Sequence, residues 1–199
     1  VENLKNAFRK AGRIEMGGGD NSFSIIELPD MLENVWIDRP SVPSTEIYRL
    51  PDEVAGESRQ SRLQWLRDFI DENNCSAMLV TALDEIVWLL NVRASDVAYN
   101  PVALSYLLVT WDKAVWYVDK AGEKSPVTAE TYAELEEDGV EIRSYDAVFE
   151  ELASPEALNF TALYVDPSTL NWHLSRVLDG ISDRIRLAMG ASPVPLRKS

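Results

Sequence analysis

The spacing of apolar and polar positions along the chain switches between a helical period and short apolar runs. From Ser58 to Asn74 apolar residues recur every three or four positions with charged residues between them, which predicts an amphipathic helix. The fully apolar run at 77–81 predicts a buried strand. The apolar run at 84–90 is short enough to fit a strand or a helix, and we prefer a helix capped by Asp84.

The same alternation continues through the second half of the chain. Two apolar runs at 103–110 and 114–118, separated by Asp112 and Lys113, predict a β-hairpin. Further strands are predicted at 140–145, 161–165 and 185–189, and further helices at 128–137, at 146–153 and from Ser168 or Thr169 to Leu178. Helices that alternate with strands around one hairpin predict an α/β domain with a mixed sheet between helices, over about residues 52–190.

The first fifty residues lack this regularity. Residues 2–10 fit the end of a helix, 17–19 a glycine turn and 22–28 a short strand. Residues 38–51 contain prolines at three positions, and proline removes backbone donors, so an extended linker is predicted there. The chain has neither an initiator methionine nor a capping signal at its end, so we expect a fragment of a longer protein.

Charge and cysteine content narrow the classes of function. The chain of 199 residues carries a formal net charge of −14, which repels phosphate backbones and anionic lipids, so we expect neither nucleic-acid nor membrane binding. No apolar run reaches the roughly 18 residues that a membrane-spanning helix needs. Cys75 is the single cysteine, so no internal disulfide is possible and a reducing, cytoplasmic location is expected.

Motifs that carry chemistry are missing from the sequence. The single histidine, His173, lies in a predicted helix, where a surface or packing role is commoner than a catalytic or metal-binding one. No Walker, HExxH, CxxC, GxSxG or GxGxxG pattern occurs. We therefore predict no catalytic residue and no metal ligand in this chain.

The loop after the apolar run at 84–90 is the best candidate site. It lies between two buried segments, and the candidates in it are Arg93, Asp96, Tyr99 and Asn100. An arginine offers a planar donor fork for a carboxylate, and an aspartate could hold that arginine or a ligand amine. The alternative stays open that Arg93 and Asp96 form a local ion pair, Tyr99 packs and Asn100 with Pro101 only makes a turn.

The segment TALDEIVWLLNVRASDVAYNPVALSYLLVT, residues 81–110, resembles the signature of the second N-terminal domain in three-domain Xaa-Pro aminopeptidases (aminopeptidase P). The residues that match the pattern are Leu83, Asp84, Glu85, Ile86, Trp88, Leu89, Asn91, Arg93, Ser95, Asp96, Asn100 and Pro101. Ala94 departs from it, because the family usually has glycine there. Weaker similarities cover residues 35–58, 165–178 and 192–199.

The resemblance implies a creatinase N-terminal-like α/β domain, with a mixed sheet of about six strands flanked by helices on both faces. It implies four parts: residues 1–37 as the tail of a preceding domain, 38–51 as the linker, 52–190 as this domain and 191–199 as the start of the connection to an absent catalytic domain. The parent enzyme would release the N-terminal residue from peptides with proline second, using two divalent metal ions, usually manganese, in that absent domain.

Under this resemblance the fragment alone is expected to be inactive. Arg93, Asp96, Tyr99 and Asn100 would shape the substrate entrance or the interface with another domain or subunit, and a homodimer is a further expectation. The competing hypothesis is a binding or assembly module of a catalytically inactive creatinase-fold protein.

Overall fold

The fold is taken from a computed structural model, which describes residues 28–32, 35–119, 126–154 and 159–198. The chain divides into two compact units, Val1–Val42 and Pro43–Ser199. The elements predicted at 2–10 and 17–19, and all of 22–28 except its last residue, lie outside the described residues. In the first unit the Asp30 carboxylate pairs with Arg39, whose guanidinium lies 5.7 Å from the centre of the Trp36 ring.

The second unit alternates helices and strands as the pattern of apolar positions predicts. Its strands are β1 Tyr48–Arg49, β2 Ala77–Val80, β3 Val92–Arg93, β4 Ser105–Thr110, β5 Ala114–Val118, β6 Val140–Ser144, β7 Ala162–Val165 and β8 Arg186–Met189. Its helices are α1 Asp52–Ala55, α2 Arg59–Glu72, α3 Leu83–Leu89, α4 Ala129–Glu137, α5 Ala147–Leu152, α6 Trp172–Asp179 and α7 Val194–Lys198.

Six strands form one mixed sheet in the order β6-β5-β4-β2-β7-β8. The hairpin pairs β4 with β5 antiparallel, and β2 also runs antiparallel to β4. The other three pairs, β5–β6, β2–β7 and β7–β8, are parallel. The short strands β1 and β3 form a separate antiparallel ribbon, in which Tyr48 lies opposite Arg93. The predicted mixed sheet and hairpin are confirmed.

Both faces of this sheet are buried, because successive strand residues point to opposite sides. On one side Met78 and Val80 pack with Leu63 and Leu66 of α2 in a cluster that also contains residues of α3 and α4. On the other side Leu79 joins a second cluster with residues of α5 and α6. The sheet is therefore flanked by helices on both faces, as expected.

Two predicted helix starts are wrong. Helix α3 begins after Ala82, so Asp84 lies inside the first turn instead of capping it. Helix α6 begins at Trp172, with the Asn171 side chain accepting a hydrogen bond from the backbone N–H of Leu174 at 2.9 Å. The start lies later than predicted because Asp166 accepts hydrogen bonds from Ser168 and holds a turn in place of a first helical turn.

The division between the compact units falls within the predicted linker 38–51. Residues from Pro43 onward belong to the second unit, and Ile47 is buried in its core with its N–H donating to the carbonyl of Pro126 at 2.7 Å. Proline at 43 and 51 still brackets an extended stretch, but that stretch is packed. The predicted domain boundaries themselves remain predictions.

Gly190, after β8, lies close against the side chain of Tyr164. A Cβ atom added to Gly190 would lie 2.2 Å from the hydroxyl oxygen of Tyr164 and 3.0 Å from its ring carbon Cζ. That hydroxyl donates a hydrogen bond to the carbonyl of Ala191 at 3.0 Å, so the ring cannot retreat without losing the bond. The close contact explains why a residue without a side chain lies at this position.

We expect Gly190→Ala to lower the free energy of unfolding by about 1–2 kcal/mol, because an overpacked site must shift its neighbours. Denaturant titration of the two proteins measures the difference. Gly180→Ala is the matched control, since its added Cβ would meet the nearest atom at 3.4 Å and should cost little. An equal loss in both variants would contradict the explanation.

Candidate functional site

The candidate loop, residues 94–101, leaves the ribbon strand β3 and returns to the sheet just before β4. Asp96 determines its shape by accepting three hydrogen bonds. One carboxylate oxygen accepts from the backbone N–H of Thr45 at 2.8 Å and from its hydroxyl at 2.6 Å, and the other accepts from the N–H of Leu104 at 2.9 Å. These bonds join the loop to the chain on both sides, so Asp96 is committed to structure and does not hold Arg93.

Arg93 lies at the start of the loop, on the two-stranded ribbon. Its guanidinium donates to the carbonyl oxygens of Val92 at 2.7 Å and Val87 at 3.2 Å, and the side chain is half-buried. Within residues 35–119, 126–154 and 159–198, no carboxylate lies within ion-pair distance of it, so the local Arg93–Asp96 pair is not formed. The carbonyl contacts hold one end of the donor fork in place, and the described residues supply the cation with no counter-charge.

Tyr99 and Asn100 form the tip of the loop. Tyr99 is fully exposed and has a φ of 64°, a left-handed conformation that is uncommon for a bulky residue. The N–H of Asn100 donates to the carbonyl of Val97 at 3.1 Å, which closes a tight turn. The alternative in which Tyr99 packs against the domain is wrong, whereas the turn at Asn100 is formed.

Ala94, the residue that departs from the family pattern, is compatible with this loop. Its φ is not positive, and its side chain is buried in the main cluster. The backbone at this position therefore does not require glycine. The positive φ angles near the loop occur at Asn91 and Tyr99 instead.

Asn91 lies at the centre of a hydrogen-bonded network of side chains that the sequence pattern did not reveal. We call Asn91, Arg62, Trp88, Asp52 and Glu57 the Asn91 cluster. The Asn91 side-chain amide donates to the Glu57 carbonyl at 2.9 Å and to the Asp52 carboxylate at 3.2 Å, and its oxygen accepts from Arg62. Its backbone carbonyl accepts from the N–H of Leu50 at 2.7 Å. The cluster thus joins α1, α2 and α3 to the ribbon.

Arg62 is the charged member of this cluster and is 3% exposed. It donates to the carbonyls of Trp88 and Ala55, and its guanidinium lies 4.1 Å from the centre of the Trp88 ring. Burial lowers the pKa of Arg62 from its usual value, and the nearby Glu57 carboxylate opposes that shift. Trp88 and Asn91, which belong to the signature segment, thus attach α3 to α2 through Arg62. Helix α3 is the helix that precedes the candidate loop.

The first turn of α3 contacts the C-terminal part of the chain. Glu85 is 5% exposed, and its carboxylate accepts a hydrogen bond from the Ser192 hydroxyl at 2.6 Å. Asp84 pairs with the ammonium of Lys198 at 2.8 Å. Burial raises the pKa of Glu85, whereas the hydrogen bond from Lys198 lowers the pKa of Asp84. Sequence analysis missed both contacts, because they join residues more than a hundred positions apart.

A polar cleft of about 290 Å³ lies beside the ribbon, between the start of α2 and the end of α4. Its lining residues are Arg49, Asp52, Ser58, Arg59, Gln60, Glu134, Glu137 and Asp138. Arg49 pairs with Glu134 at 2.8 Å, and Arg59 pairs with Asp138. Its lining has two arginines and four carboxylates, so the cleft is net acidic, and none of its lining residues is a nucleophile next to a base.

A metal site needs several ligand side chains close together. No group of three or more His, Cys, Asp or Glu side chains among the described residues could hold a metal ion, so the ligands that a two-metal site needs do not fit this part of the chain. His173 stacks on the Phe149 ring with 4.1 Å between ring centres.

Among the residues that the structure describes, no helix is both long and apolar enough to cross a membrane.

The family of the chain follows from comparison with known proteins. The family model described as the creatinase/prolidase N-terminal domain matches residues 38–199. The chain is 33% identical to a probable Xaa-Pro aminopeptidase P of Colletotrichum graminicola over 94% of its length, and 40% identical to aminopeptidase P2 of Arabidopsis thaliana over 71% of its length. It spans only 31% and 19% of those two relatives.

A solved structure shares the fold. The chain superposes on the X-prolyl aminopeptidase of Caenorhabditis elegans with a TM-score of 0.80 and 22% identity, covering 99% of this chain and 30% of that one. That protein is described as a cytosolic enzyme with a di-nuclear active site. The superposition shows the architecture of the chain, and the description applies to the nematode enzyme.

Proposed function

Because the chain belongs to the creatinase/prolidase N-terminal domain family, we propose that it is the non-catalytic N-terminal region of a Xaa-Pro aminopeptidase. The whole protein would release the N-terminal residue from peptides that have proline in second position. Two divalent metal ions, manganese in this proposal, would supply Lewis-acid activation from a further domain. The similarity to the fungal and plant aminopeptidases P supports this assignment.

The role that we propose for this region is to form part of the substrate entrance or of an interface with another domain or subunit. Arg93 is the observation that carries it. In a chain with a net charge of −14, this guanidinium has no carboxylate partner among the described residues and is half-exposed beside an ordered loop. A positioned, uncompensated cation is suited to a carbonyl or carboxylate that comes from outside the region.

Tyr99 and Asn100 complete this proposed surface. The tyrosine side chain extends into solvent from a loop that Asp96 holds through three hydrogen bonds, so the backbone that presents the exposed ring is held in place. Tyrosine and arginine are the residue types that most often dominate protein interfaces. A backbone held in the left-handed region by its surroundings is also a frequent feature of functional loops.

We expect Arg93→Ala in the full-length protein to lower kcat/KM on an Xaa-Pro peptide by about tenfold, equivalent to about 1.4 kcal/mol, because one charge-assisted hydrogen bond is lost. The thermal midpoint should fall only slightly, since the two hydrogen bonds that the residue donates to backbone carbonyls are only partly buried. Steady-state kinetics with manganese added, together with a thermal melt, give both quantities.

Arg186→Ala is the matched control, because Arg186 also donates to backbone carbonyls but lies on the edge strand β8. It should leave kcat/KM unchanged. If Arg93→Ala changes neither kcat/KM nor the sedimentation behaviour of the protein, the proposed surface role is wrong. If the full-length protein cleaves no Xaa-Pro peptide with metal present, the assembly-module hypothesis replaces the enzymatic one.

The proposal also includes a cytoplasmic homodimer. The nematode relative is described as cytosolic, and the single buried cysteine requires no oxidising compartment. Sedimentation equilibrium of the full-length protein at micromolar concentration tests the dimer. A monomer in that experiment would restrict the role of the Arg93 loop to contacts within one subunit.

A further inference from the structure

The last described residues of the chain are fastened to the domain at several points. We call residues 190–198 the C-terminal segment. Its Val194 side chain is fully buried in the main cluster, and the N–H of Gly190 donates to the carbonyl of Val165 at 3.1 Å. At its far end Arg197 pairs with Glu57 at 2.9 Å. The segment is therefore part of the domain surface, and apolar packing, a hydrogen bond and an ion pair attach it there.

Ser192 is the centre of this attachment, because two carboxylates from different elements converge on it. Its hydroxyl donates to Glu85 of α3 at 2.6 Å, and its backbone N–H donates to Asp166, which follows β7, at 2.8 Å. The hydroxyl oxygen also accepts from the N–H of Val194 at 3.3 Å. Ser192 itself is 8% exposed, so the segment covers the Glu85 carboxylate from solvent.

The charges around Glu85 are unbalanced. Asp84 on its own helix and Asp166 at the end of β7 are acidic, and Lys198 of the C-terminal segment is the cation that acts on it. Tyr164 lies nearby, with its hydroxyl donating to Ala191. A carboxylate that is buried and faces two like charges is costly to ionise when the segment is closed over it, and less costly when the segment is open to water.

We propose that Ser192, Glu85 and Asp166 form a proton-sensitive clasp, which holds the C-terminal segment more tightly when Glu85 is protonated. The same helix α3 that carries Glu85 also supplies the Val87 carbonyl that positions Arg93. A change in the clasp would therefore act on the helix that supports the candidate loop. This inference concerns the described chain and does not depend on the proposed peptidase activity.

The direction in which pH changes the attachment of the C-terminal segment depends on which carboxylates titrate. Burial raises the pKa of Glu85 above 4.5, so its contribution to closure is complete below that value and is lost as the pH rises through the raised pKa. The pKa of Asp166 is lowered despite the opposing effect of burial, because Ser168 and Ser192 donate to its carboxylate. The pKa of Asp84 is lowered by Lys198. The two aspartates therefore stay ionised over the range in which Glu85 titrates.

Hydrogen exchange of the 199-residue chain tests the clasp. After correction for intrinsic rates, the protection of the Ser192 and Val194 amides should fall as the pH rises from 4.5 through the raised pKa of Glu85, by about tenfold for each unit of pKa elevation. In the Glu85→Gln variant the side chain at 85 cannot ionise, so the protection of the Ser192 and Val194 amides should be independent of pH over the same range. Glu57→Gln is the matched control, since Glu57 also holds the segment but has a lowered pKa, and it should keep the pH dependence.

A second variant keeps the test decisive if Glu85→Gln does not fold. Ser192→Ala removes the hydroxyl that donates to Glu85, so the protection of the Val194 amide should be lower at every pH while the pH dependence remains. Protection that does not change with pH in the unmodified chain would overturn the proposal. The same fall in Glu85→Gln as in the unmodified chain would overturn it equally.

Discussion

Arg62→Met is expected to lower the free energy of unfolding by about 3–5 kcal/mol, a loss typical of removing one partner from a buried charged network. Arg62 is 3% exposed and donates to the carbonyls of Trp88 and Ala55 and to the side chain of Asn91. Methionine fills a similar volume but donates nothing, so the buried side-chain oxygen of Asn91 and the two carbonyls would each lose a charge-assisted hydrogen bond. The stacking of the guanidinium on the Trp88 ring would be lost as well.

Arg67→Met in the same helix α2 is the matched control for this prediction. Arg67 is half-buried, and its guanidinium donates to the carbonyl of Thr110 at 3.0 Å. A loss of about 1 kcal/mol is expected there, because only one hydrogen bond is removed at the edge of solvent. Guanidinium chloride titrations of the three proteins provide the comparison, and similar losses for Arg62 and Arg67 would show that the Asn91 cluster is not the support we describe.

Asn91→Ala is the second large effect, with an expected loss of about 2–4 kcal/mol. Two causes add. The Arg62 guanidinium and the carbonyl of Glu57 lose their buried partner, and alanine must adopt the φ of 52° that asparagine tolerates better. Because Arg62 and Asn91 share one hydrogen bond, the losses in the double variant should be smaller than the sum of the two single losses by about 1 kcal/mol or more.

Two further variants separate the causes. Asn91→Gly keeps the backbone conformation accessible and removes only the side-chain contacts, so it should retain most of the loss. Asn74→Ala changes an exposed asparagine with a φ of 53°, so it should show the conformational part alone, about 1 kcal/mol. If Asn74→Ala and Asn91→Ala cost the same, the buried hydrogen bonds of Asn91 contribute little.

These predictions bear on what the signature segment does. Asp84, Glu85, Trp88, Asn91 and Asp96 all match the family pattern, and each contacts another part of the same domain. Arg93, Tyr99 and Asn100 leave charged, aromatic or polar groups available at the surface. The segment that looked like one candidate site from its residue types is therefore mostly a framework that supports a smaller exposed group.

Local physical chemistry was sufficient for most of the fold. Three local features of the sequence each specify one element through residues that are close in the chain. They are the helical period of apolar residues after Ser58, the continuous apolar runs of β2, β4 and β5, and the hairpin turn at Asp112. The order of helices and strands then leaves few ways to bury both faces of a sheet. The predicted α/β class and the mixed sheet follow from those local signals, whereas the expected number of about six strands came from the family resemblance.

The contacts that give the candidate loop and the C-terminal segment their properties required the tertiary structure. Asp96 reaches Thr45, Glu85 reaches Ser192 and Arg62 reaches Asn91 only after the chain has folded, and nothing in the spacing of these residues indicates the pairing. The same holds for Arg93, because only the folded structure shows that no described carboxylate lies within ion-pair distance of it. Periodicity records which side of an element faces the core, whereas the partner of a buried polar group depends on distances between elements that are far apart in sequence.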